Sequence, residues 1–596
     1  MPESPSAAGS RLRRASSYEQ ICKSGHFRKA SPRQVLAGFG IIFRDALDAL
    51  LTAGGSSNTR FPTMDEVQHA GDALFEASSG TDHVDVFIGH SWSASRWSKF
   101  LALCLFFNLE AAIRCACGAW FVLATTLVGW GGITGLGGSY LILPCLVYFP
   151  ITVFFVVFFF RQQLLEGRQS YSVWVDRLCI HQTDMDRKAE QIAALPVFVM
   201  HSSRMLILWD ETYFERKWCS LELATFARHV GTEQIDVLPL WLAPWLLNSI
   251  LMEVVSLTIY DLLDRALPRT TIDQAMEEEE PVLGTNVAVL KFTAVCLSLM
   301  ISGLVYAPLA LPSFVSFRMK LQNHQLMLRQ MANFDVRAAK CTLPSDVEVI
   351  EQHVEDLFKN DAAQRGSPRL VGEVDDGEVF LPTLDFADDP LGRFNAYVRG
   401  TLRSFVLSQI GDELYVSRRT CLIALLPMIF YASVNVLGCD NGPCETSGPA
   451  AGYTSLTTYM INSSVGWVIL IGLALPLAYP VLLRLVRCAM SYGQGSAHFC
   501  AALLCPLAFC YSYTWAGLAS GALVGVVQNY SPTQLIVFLF VLAALVAQNL
   551  WLFAGDTQNG SNQLSCRCIK RQTAGYETLG SSGTAGVSHG LISQYL

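Results

Sequence analysis

Long stretches without charged residues alternate along this chain with segments of mixed apolar and polar residues. Between Arg114 and Arg161 there is no Asp, Glu, Lys, Arg or His. A helix needs about 20 apolar residues to cross the hydrocarbon core of a membrane, so this stretch is long enough for two crossings. Its middle, GWGGITGLGGSY, is rich in glycine and typical of a turn. The pattern predicts a transmembrane helical hairpin within 113–160, with helices near 113–131 and 140–160.

Further apolar segments follow the hairpin. The segment 290–317 contains Pro308 and Pro312, and it either crosses the membrane once or re-enters on the same side. Between 420 and 555 we expect four transmembrane helices, at 420–438, at 465–483, and as a pair within 499–555 that is broken at QNYSPTQ. The chain is therefore predicted to be a multi-pass membrane protein.

The loop 439–464 indicates the orientation of these helices. It contains Cys439, Cys444 and an Asn-x-Ser sequence at Asn462, and it has no Lys or Arg. All three features are typical of an extracytoplasmic loop. Cytosolic loops carry an excess of Lys and Arg, and the helix ends on the other side carry Arg418, Arg419, Arg484 and Arg487. Both termini and the segment 318–419 are therefore expected in the cytosol.

This orientation requires an even number of crossings before residue 318. The first hairpin returns to its starting side, so a single crossing at 292–317 would place 318–419 outside the cytosol. Either 292–317 is re-entrant, or the apolar segment 242–262 crosses as well. Glu253 lies near the middle of 242–262, where a carboxylate is costly in lipid. Both alternatives remain open from the sequence.

The segments around the first hairpin alternate between strand and helix patterns. Short β-branched and apolar runs at 84–92, 171–177, 204–210 and 235–242 are separated by longer amphipathic or apolar stretches. This alternation predicts an α/β domain with a parallel sheet that is covered on both faces. In such sheets the functional residues gather at the carboxyl ends of the strands.

Composition and charge limit the class of protein and the kinds of partner that we expect. Of the 596 residues, 52% are hydrophobic and only 15% are charged, which agrees with a membrane protein that also has soluble parts. The net charge is −8 and no long basic run occurs, so we expect no nucleic-acid partner. The 18 cysteines lack CxxC spacing, and we expect no metal site.

Four motifs, in this order, resemble those of TIR domains: DVFIGHSW, VWVDRLCIHQTD, HSSRMLILWDETYFERKWCSLELATF and VLPLWL. The resemblance covers 82–99 and 168–262 and is closest to plant-type TIR domains in the WCxxEL segment. WVDRLCIHQTD is also similar to a signature of fungal heterokaryon-incompatibility domains. The resemblance implies a flavodoxin-like α/β fold, here interrupted by the membrane hairpin. The segment after VWVD has no central glycine, which departs from the family pattern.

In TIR domains that cleave NAD, the glutamate of the WCxxEL helix is catalytic, and the resemblance places this role on Glu222. A fixed carboxylate stabilises the positive charge that develops on the ribose when nicotinamide leaves. NAD would be a substrate and not a bound cofactor. We expect the substrate to contact Gly89, His90, Ser91, Trp92, Trp97 and Asp176. Many TIR domains instead act in signalling by self-association without catalysis, so an NAD hydrolase and an assembly module are both open.

The remaining segments carry no visible chemistry. We expect 1–80 to be mostly disordered, 318–419 to be a small helical unit, and 556–596 to be a disordered tail. In the helical unit, Ile350, Val354, Leu357 and Phe358 form a stripe that matches Phe394, Val398, Leu402 and Phe405. The competing function is a transporter or channel that the TIR-like domain regulates.

Overall fold

The fold is described from a computed structural model, which defines residues 18–44, 63–129, 143–164, 171–266, 303–359, 389–437, 455–491 and 497–553. Helices predominate among these residues. The strands are β1 Arg28–Lys29, β2 Ser79–Gly80, β3 Val84–His90, β4 Val173–Trp174, β5 Ser202–Trp209 and β6 Ile235–Pro239.

The helices of the first half surround the strands. They are α1 Tyr18–Lys23, α2 Pro32–Gly40, α3 Met64–Glu76, α4 Arg96–Gly129, α5 Phe149–Leu164, α6 Asp176–Cys179, α7 Met185–Ala193, α8 Leu195–Met200, α9 Lys217–His229 and α10 Leu242–Ala266. In the second half the described residues form helices joined by loops. Its helices are α11 Ala310–Ala332, α12 Pro344–Lys359, α13 Pro390–Tyr397, α14 Arg403–Ile410, α15 Arg418–Ala424, α16 Leu426–Leu437, α17 Leu456–Ile469, α18 Ala478–Ser491, α19 Ala497–Asn529 and α20 Pro532–Leu552.

The predicted parallel sheet is present and has four strands in the order β4-β3-β5-β6. β3 is central, and all but one of its residues are buried, as expected for a strand that is covered on both faces. It pairs in parallel with β4, through Val86 opposite Val173, and with β5, through Val84 opposite Ser202. The segments before and after the hairpin are therefore adjacent strands of one sheet.

The helix that follows β3 is longer than the sequence pattern suggests. We predicted a hairpin helix that begins near residue 113, but α4 runs without a break from Arg96 to Gly129. The residues just before 113, LEAA, are good helix formers and contain no glycine or proline, so nothing ends the helix there. The first half of α4 packs against the sheet, and its second half extends into the hairpin.

The two hairpin helices are held together near the sheet by hydrogen bonds to main-chain carbonyls. Nδ2 of Asn108 donates to the carbonyl of Phe158 at 2.8 Å, and Arg161 donates to the carbonyl of Phe107 at 2.6 Å. Gln162 donates to Oδ1 of Asn108 at 2.9 Å. These bonds fix the base of the hairpin, and therefore the position of the chain that returns to β4.

Five of the described helices are long and apolar enough to cross a membrane. They span Arg96–Gly129, Pro144–Leu164, Leu242–Leu263, Leu456–Ser491 and Pro532–Leu552. Two helices of membrane-crossing length are thus present where the hairpin was predicted, and 242–262 belongs to a third. Residues 130–142, which include most of the predicted turn, lie outside the described residues. These helices agree with a multi-pass membrane protein.

Other predicted spans differ from the structure. The segment 420–438 is divided at Leu425 into α15 and α16. The described part of 292–317 leads into α11, which continues to Ala332, and residues 292–302 lie outside the described residues. Residues 499–555 form two helices with the predicted break at Tyr530 and Ser531.

Asn462 does not lie in a loop. It belongs to α17 and is 7% exposed, because the apolar pattern of the span begins about ten residues earlier than we predicted. A buried helical amide is a poor glycosylation acceptor. Cys439 and Cys444 lie outside the described residues, as does the tail 556–596.

The N-terminal region is more ordered than predicted. Phe27, Val35 and Leu36 are buried, and β1 pairs with β2. Capping boxes at Ser31 and Thr63 begin α2 and α3 and satisfy main-chain donors that would otherwise be free. Residues 1–17 and 45–62 lie outside the described residues.

The two apolar stripes of the helical unit meet as predicted. Ile350, Val354 and Phe358 on α12 are buried, and Phe394 lies 5.2 Å from Phe358 between ring centroids. Val398 and Leu402 are also fully buried, whereas Leu357 and Phe405 lie at the edge. The same unit contacts α9, which contains Glu222.

Candidate functional site at the carboxyl edge of the sheet

Polar side chains follow three neighbouring strands at the point where each strand ends. His90 is the last residue of β3, Asp176 comes two residues after β4, and Asp210 comes directly after β5. Because the strands are parallel, these residues lie on the same edge of the sheet. The strand that was predicted over 171–177 is shorter than expected, since β4 stops at Trp174 and Asp176 begins the short helix α6.

The Asp176 carboxylate is the centre of a hydrogen-bond network. Oδ1 accepts from Nε2 of His90 at 3.0 Å and from the main-chain N–H of Arg177 at 2.7 Å, and Oδ2 accepts from Nε1 of Trp92 at 2.5 Å. The Arg177 guanidinium lies over the Trp92 ring, 4.0 Å from its centroid. One face of this ring is therefore already covered by a cation.

Burial alone would raise the pKa of Asp176. The charge of His90, the hydrogen bonds from His90 and Trp92, and the charge of Arg177 outweigh this effect and hold the pKa well below its usual range. Asp176 is therefore an anion at neutral pH. With the anion in place, His90 is fixed in orientation and held against the end of β3.

Asp176→Asn is expected to destabilise the protein by about 2 kcal/mol, because it replaces charge-assisted hydrogen bonds with neutral ones. Since the pKa of Asp176 is lower in the folded state than the unfolded value of about 3.9, its stabilisation is complete above that pH and is lost as the pH falls below it. Thermal unfolding of wild type and variant from pH 3 to pH 7 tests this. A difference in melting temperature between wild type and Asp176→Asn that is the same at every pH would contradict this role of Asp176.

A hydroxyl cluster lies beside the Asp176 network. Ser91 is fully buried, and its hydroxyl hydrogen-bonds to Thr212 at 2.6 Å and to Ser93 at 2.8 Å. Thr212 also donates to Oδ2 of Asp210 at 2.7 Å. These contacts join the loop after β3 to the loop after β5.

Glu222 reaches the same edge from behind β3. A Cβ added to Gly89 would lie 3.3 Å from Oε2 of Glu222 and 3.3 Å from the hydroxyl oxygen of Tyr213. Part of the Glu222 side chain is accessible, but both oxygens named here are buried and have no hydrogen-bond partner among the described residues. A side chain at position 89 would therefore crowd the Glu222 carboxyl. Polar atoms left unpaired in a protein interior are rare and often mark a functional position.

Burial raises the pKa of Glu222 well above its ordinary value, and the nearby negative charge of Asp176 raises it further; Arg216 opposes both effects. The two carboxyl groups at this edge therefore differ, since their surroundings lower the pKa of Asp176 and raise the pKa of Glu222. Pairs of acids whose pKa values are pushed apart are typical of sites that use one acid as a proton donor or acceptor. Burial and the proximity of Glu222 also raise the pKa of the Cys219 thiol, whose Sγ lies 3.8 Å from the His90 carbonyl.

Gly89→Ala is expected to destabilise the protein by about 1–2 kcal/mol, as overpacking of a filled interior does. The new methyl group would lie 3.0 Å from Cε of Met205 as well as against Glu222, so both side chains must shift. Thermal unfolding measures the loss, and Gly80→Ala serves as a control because nothing lies within 4 Å of its Cβ position. Equal melting temperatures for Gly89→Ala and wild type would contradict the packing described here.

A cavity of about 760 Å³ adjoins the hydroxyl cluster. Its wall includes Ser93 and Thr212 from the cluster, Asp210 from the end of β5, and Trp241 and Lys320 from the helical region. Nζ of Lys320 donates to the main-chain carbonyls of residues 413 and 415 at 2.7 and 2.9 Å. Burial lowers the pKa of Lys320 to about 7, against partial opposition from Asp412 and Glu413. The cavity therefore offers a lysine that can be neutral, an aspartate and hydroxyl groups.

The structure places most of the predicted site residues near one another, but they form separate groups of contacts. Gly89 lies against Glu222, His90 and Trp92 bind Asp176, and Ser91 hydrogen-bonds to Ser93 and Thr212 of the cavity wall. Glu222, His90, Trp92 and Asp176 do not line the cavity. Trp97 lies apart from them, since its ring packs on Phe39 at 5.8 Å and under Arg96 at 4.6 Å.

Sequence reasoning missed several residues of the site. Asp210 could have been found by the rule that it follows a buried strand directly. Thr212 and Ser93 lie in loops without any distinctive pattern. Trp241 lies in the turn before α10 and Lys320 lies on α11, and no local pattern reveals how these two segments pack beside the sheet.

Two residues that follow Asp176 in the chain have structural roles. Asp184 begins α7 by accepting from the main-chain N–H of Asp186 and Arg187, both at 3.1 Å. His181 is buried and contacts Oδ1 of Asp72 at 3.0 Å. Among the described residues, no three His, Cys, Asp or Glu side chains are grouped so that they could share a metal ion.

No protein-family model, curated protein or solved structure matches this chain.

Proposed function

We propose that this protein is a membrane-tethered signalling protein whose sheet domain is TIR-like, faces the cytosol and cleaves NAD with Glu222. The observation that carries the proposal is the carboxyl edge of the sheet, where Glu222 with a raised pKa and Asp176 with a lowered pKa flank the end of β3. The sheet order also supports it. Numbered along the chain, the four strands lie in the order 2-1-3-4, which is the order in which a flavodoxin-like sheet begins.

The cavity supplies the substrate-binding part of this proposal. It lies at the carboxyl ends of β5 and β6, where open α/β sheets bind ligands. Its tryptophans, including Trp209 and Trp241, offer flat apolar surfaces to a base, and its hydroxyl groups suit ribose. The substrate carries a positive charge on the nicotinamide ring, and this charge next to Glu222 favours the ionised carboxylate.

The reaction adds water to C1′ of the ribose as nicotinamide leaves, and a proton is released. The Glu222 carboxylate stabilises the positive charge that forms on the sugar. Glu222 does not line the cavity in this structure, so the ribose must displace the loop around Ser91 and Trp92 to reach it. We propose that self-association of the sheet domain on the membrane moves this loop and thereby switches on cleavage. Tethering raises the local concentration that such assembly requires.

The test uses the full chain in lipid nanodiscs and in liposomes at low and high protein density. The proposal predicts nicotinamide release from NAD that increases with density. No release at any density would contradict catalysis, while density-dependent association without release would leave a non-enzymatic assembly role. Sidedness is tested separately by labelling introduced cysteines in the loop after β5 in sealed vesicles.

One observation favours the second candidate, a transporter or channel. Glu253 is 2% exposed within α10, a helix of membrane-crossing length, and ionisable residues in such positions often belong to ion or proton pathways. Flux measurements in proteoliposomes distinguish the two functions. Transport predicts flux that is lost in Glu253→Gln and kept in Glu222→Gln, whereas the signalling proposal predicts no flux above that of empty liposomes.

A further inference from the structure

A second cavity lies between α10 and helices of the second half of the chain, away from the sheet. It has a volume of about 110 Å³ and is walled by five aromatic side chains: Tyr260, Tyr306, Tyr431, Trp467 and Tyr513. These five residues are called the aromatic cage below. They come from α10, α16, α17, α19 and the turn before α11, so the fold gathers the rings from five separate parts of the chain.

The rings of the cage surround the cavity and do not fill it as one stack. Tyr431 lies edge-on to Tyr260 at 6.1 Å and to Trp467 at 6.5 Å, and Tyr306 is tilted against Tyr513 at 6.4 Å. On its outer side Tyr306 stacks on Phe509 at 3.8 Å, which fixes its ring. The closed end is formed by Tyr306, which is 2% exposed, and the open end by Tyr260, which is 39% exposed.

A buried carboxylate lies behind the closed end. The hydroxyl of Tyr306 donates to Oε2 of Glu253 at 3.3 Å, and the hydroxyl of Ser256, which also lines the cavity, lies 3.4 Å from the same oxygen. On the far side Tyr479 donates to Oε1 at 3.3 Å. Among the described residues Glu253 has only hydroxyl partners and no ion pair, and the residues that line the cavity include no Lys, Arg or His.

Aromatic rings arranged around a cavity attract cations through the negative charge of their faces, and cages of this kind bind quaternary ammonium groups. A positive charge nearby also stabilises the ionised form of a buried carboxyl group. A hydrated metal ion would need several oxygen ligands, whereas this wall is mainly aromatic carbon. We infer that the aromatic cage binds a trimethylammonium group, with Glu253 supplying the opposing charge through Tyr306 and Ser256.

A trimethylammonium group reaches this cage either as a free quaternary ammonium compound or as the headgroup of a choline lipid. The experiment separates the two sources. The full chain is placed in nanodiscs of phosphatidylethanolamine and phosphatidylglycerol, and binding of radiolabelled choline is measured. The titration is repeated in nanodiscs that contain phosphatidylcholine. If phosphatidylcholine suppresses choline binding, the lipid headgroup is a ligand of the cage. If choline binding is unchanged, the cage is a site for the free cation.

The chemistry is tested with a neutral isostere and with matched variants. 3,3-Dimethylbutanol has the shape of choline without the charge and is expected to compete at least about tenfold more weakly. Trp467→Leu and Glu253→Gln are each expected to weaken choline binding about tenfold or more, whereas Trp467→Phe keeps a ring and retains most of it. Tyr511→Leu is the control, because Tyr511 lies on the same helix as Tyr513 and does not line the cavity.

Several results would overturn the inference. They are the absence of choline binding in both lipid mixtures, equal competition by the neutral isostere, and undiminished binding in Trp467→Leu. Melting temperatures of the variants show whether each is folded. If Trp467→Leu fails to fold, choline binding is compared between Trp467→Phe, which keeps a ring, and Tyr260→Leu, which removes one. Tyr260 is at the open end, so its loss removes a ring with little effect on packing.

Discussion

Glu222→Gln is expected to lower NAD cleavage by about 10²–10³-fold, which is the usual effect of removing one preorganised charge-stabilising group from an active site. Glutamine has nearly the same shape as protonated glutamic acid, which is the form that burial favours here. The variant should therefore fold with Gly89 and Tyr213 in their present places. Nicotinamide release by purified full-length protein measures the effect, and Glu233→Gln, on the exposed turn before β6, is the matched control.

The pH dependence separates a catalytic role of Glu222 from a structural one. Because the pKa of Glu222 is raised, the free enzyme becomes active only as the carboxyl loses its proton, and kcat/KM should rise with pH towards that pKa. Stability changes in the opposite direction. The folded protein keeps a proton on Glu222 above the unfolded pKa of about 4.3, so wild type loses stability as the pH rises from there towards the folded pKa, and Glu222→Gln does not. A flat kcat/KM profile, or an unchanged rate in Glu222→Gln, would contradict catalysis by this residue.

Lys217→Met is expected to destabilise the protein by about 3 kcal/mol, the lower end of the usual effect of breaking a buried ion pair. Lys217 is 2% exposed at the start of the helix that contains Glu222. Its ammonium group forms an ion pair with Glu351 of α12 and donates to the carbonyl of Val336 at 3.0 Å. Methionine fills the same space but leaves the carboxylate and the carbonyl without this donor.

A double-mutant cycle tests whether the pair itself is responsible. Lys217→Met and Glu351→Gln together should cost less than the sum of the single changes, because the second change removes the unpaired charge. Thermal unfolding in nanodiscs measures all three variants. Lys340→Met is the control, since its contact with Glu215 is exposed and exposed pairs contribute little. Additive effects of Lys217→Met and Glu351→Gln would show that this ion pair does not join the two helices.

The sequence predicted the elements whose pattern is local. The alternation of β-branched runs gave four strands of a parallel sheet, and the stretch between Arg114 and Arg161 gave the membrane hairpin. Glu222 was expected near the end of the first strand and lies there against Gly89. The strands and the apolar helices follow from hydrophobic periodicity, whereas the place of Glu222 was implied by the resemblance to TIR domains.

Features that depend on distant contacts could not be predicted. Lys217, five residues before Glu222, pairs with the distant Glu351, and one oxygen of Glu222 is buried with no hydrogen-bond partner among the described residues. The cavity wall comes in part from α10 and α11. The helices α4 and α17 both begin earlier in the chain than predicted. Hydrophobic periodicity alone does not show where a helix begins or ends.

The central claim is that the segments on either side of the membrane hairpin form one sheet and so place Asp176 and Glu222 at one edge. Asp85 and Ser172 belong to these two segments, and Oδ2 of Asp85 accepts from the Ser172 hydroxyl at 2.6 Å. The double variant Asp85→Cys/Ser172→Cys should therefore form a disulfide under mild oxidation in nanodiscs, detected as a linked peptide by mass spectrometry. Asp85→Cys/Asp186→Cys should not, because α7 begins beyond the opposite end of the strands. No linked peptide from the first pair, or equal linkage of both pairs, would contradict the account.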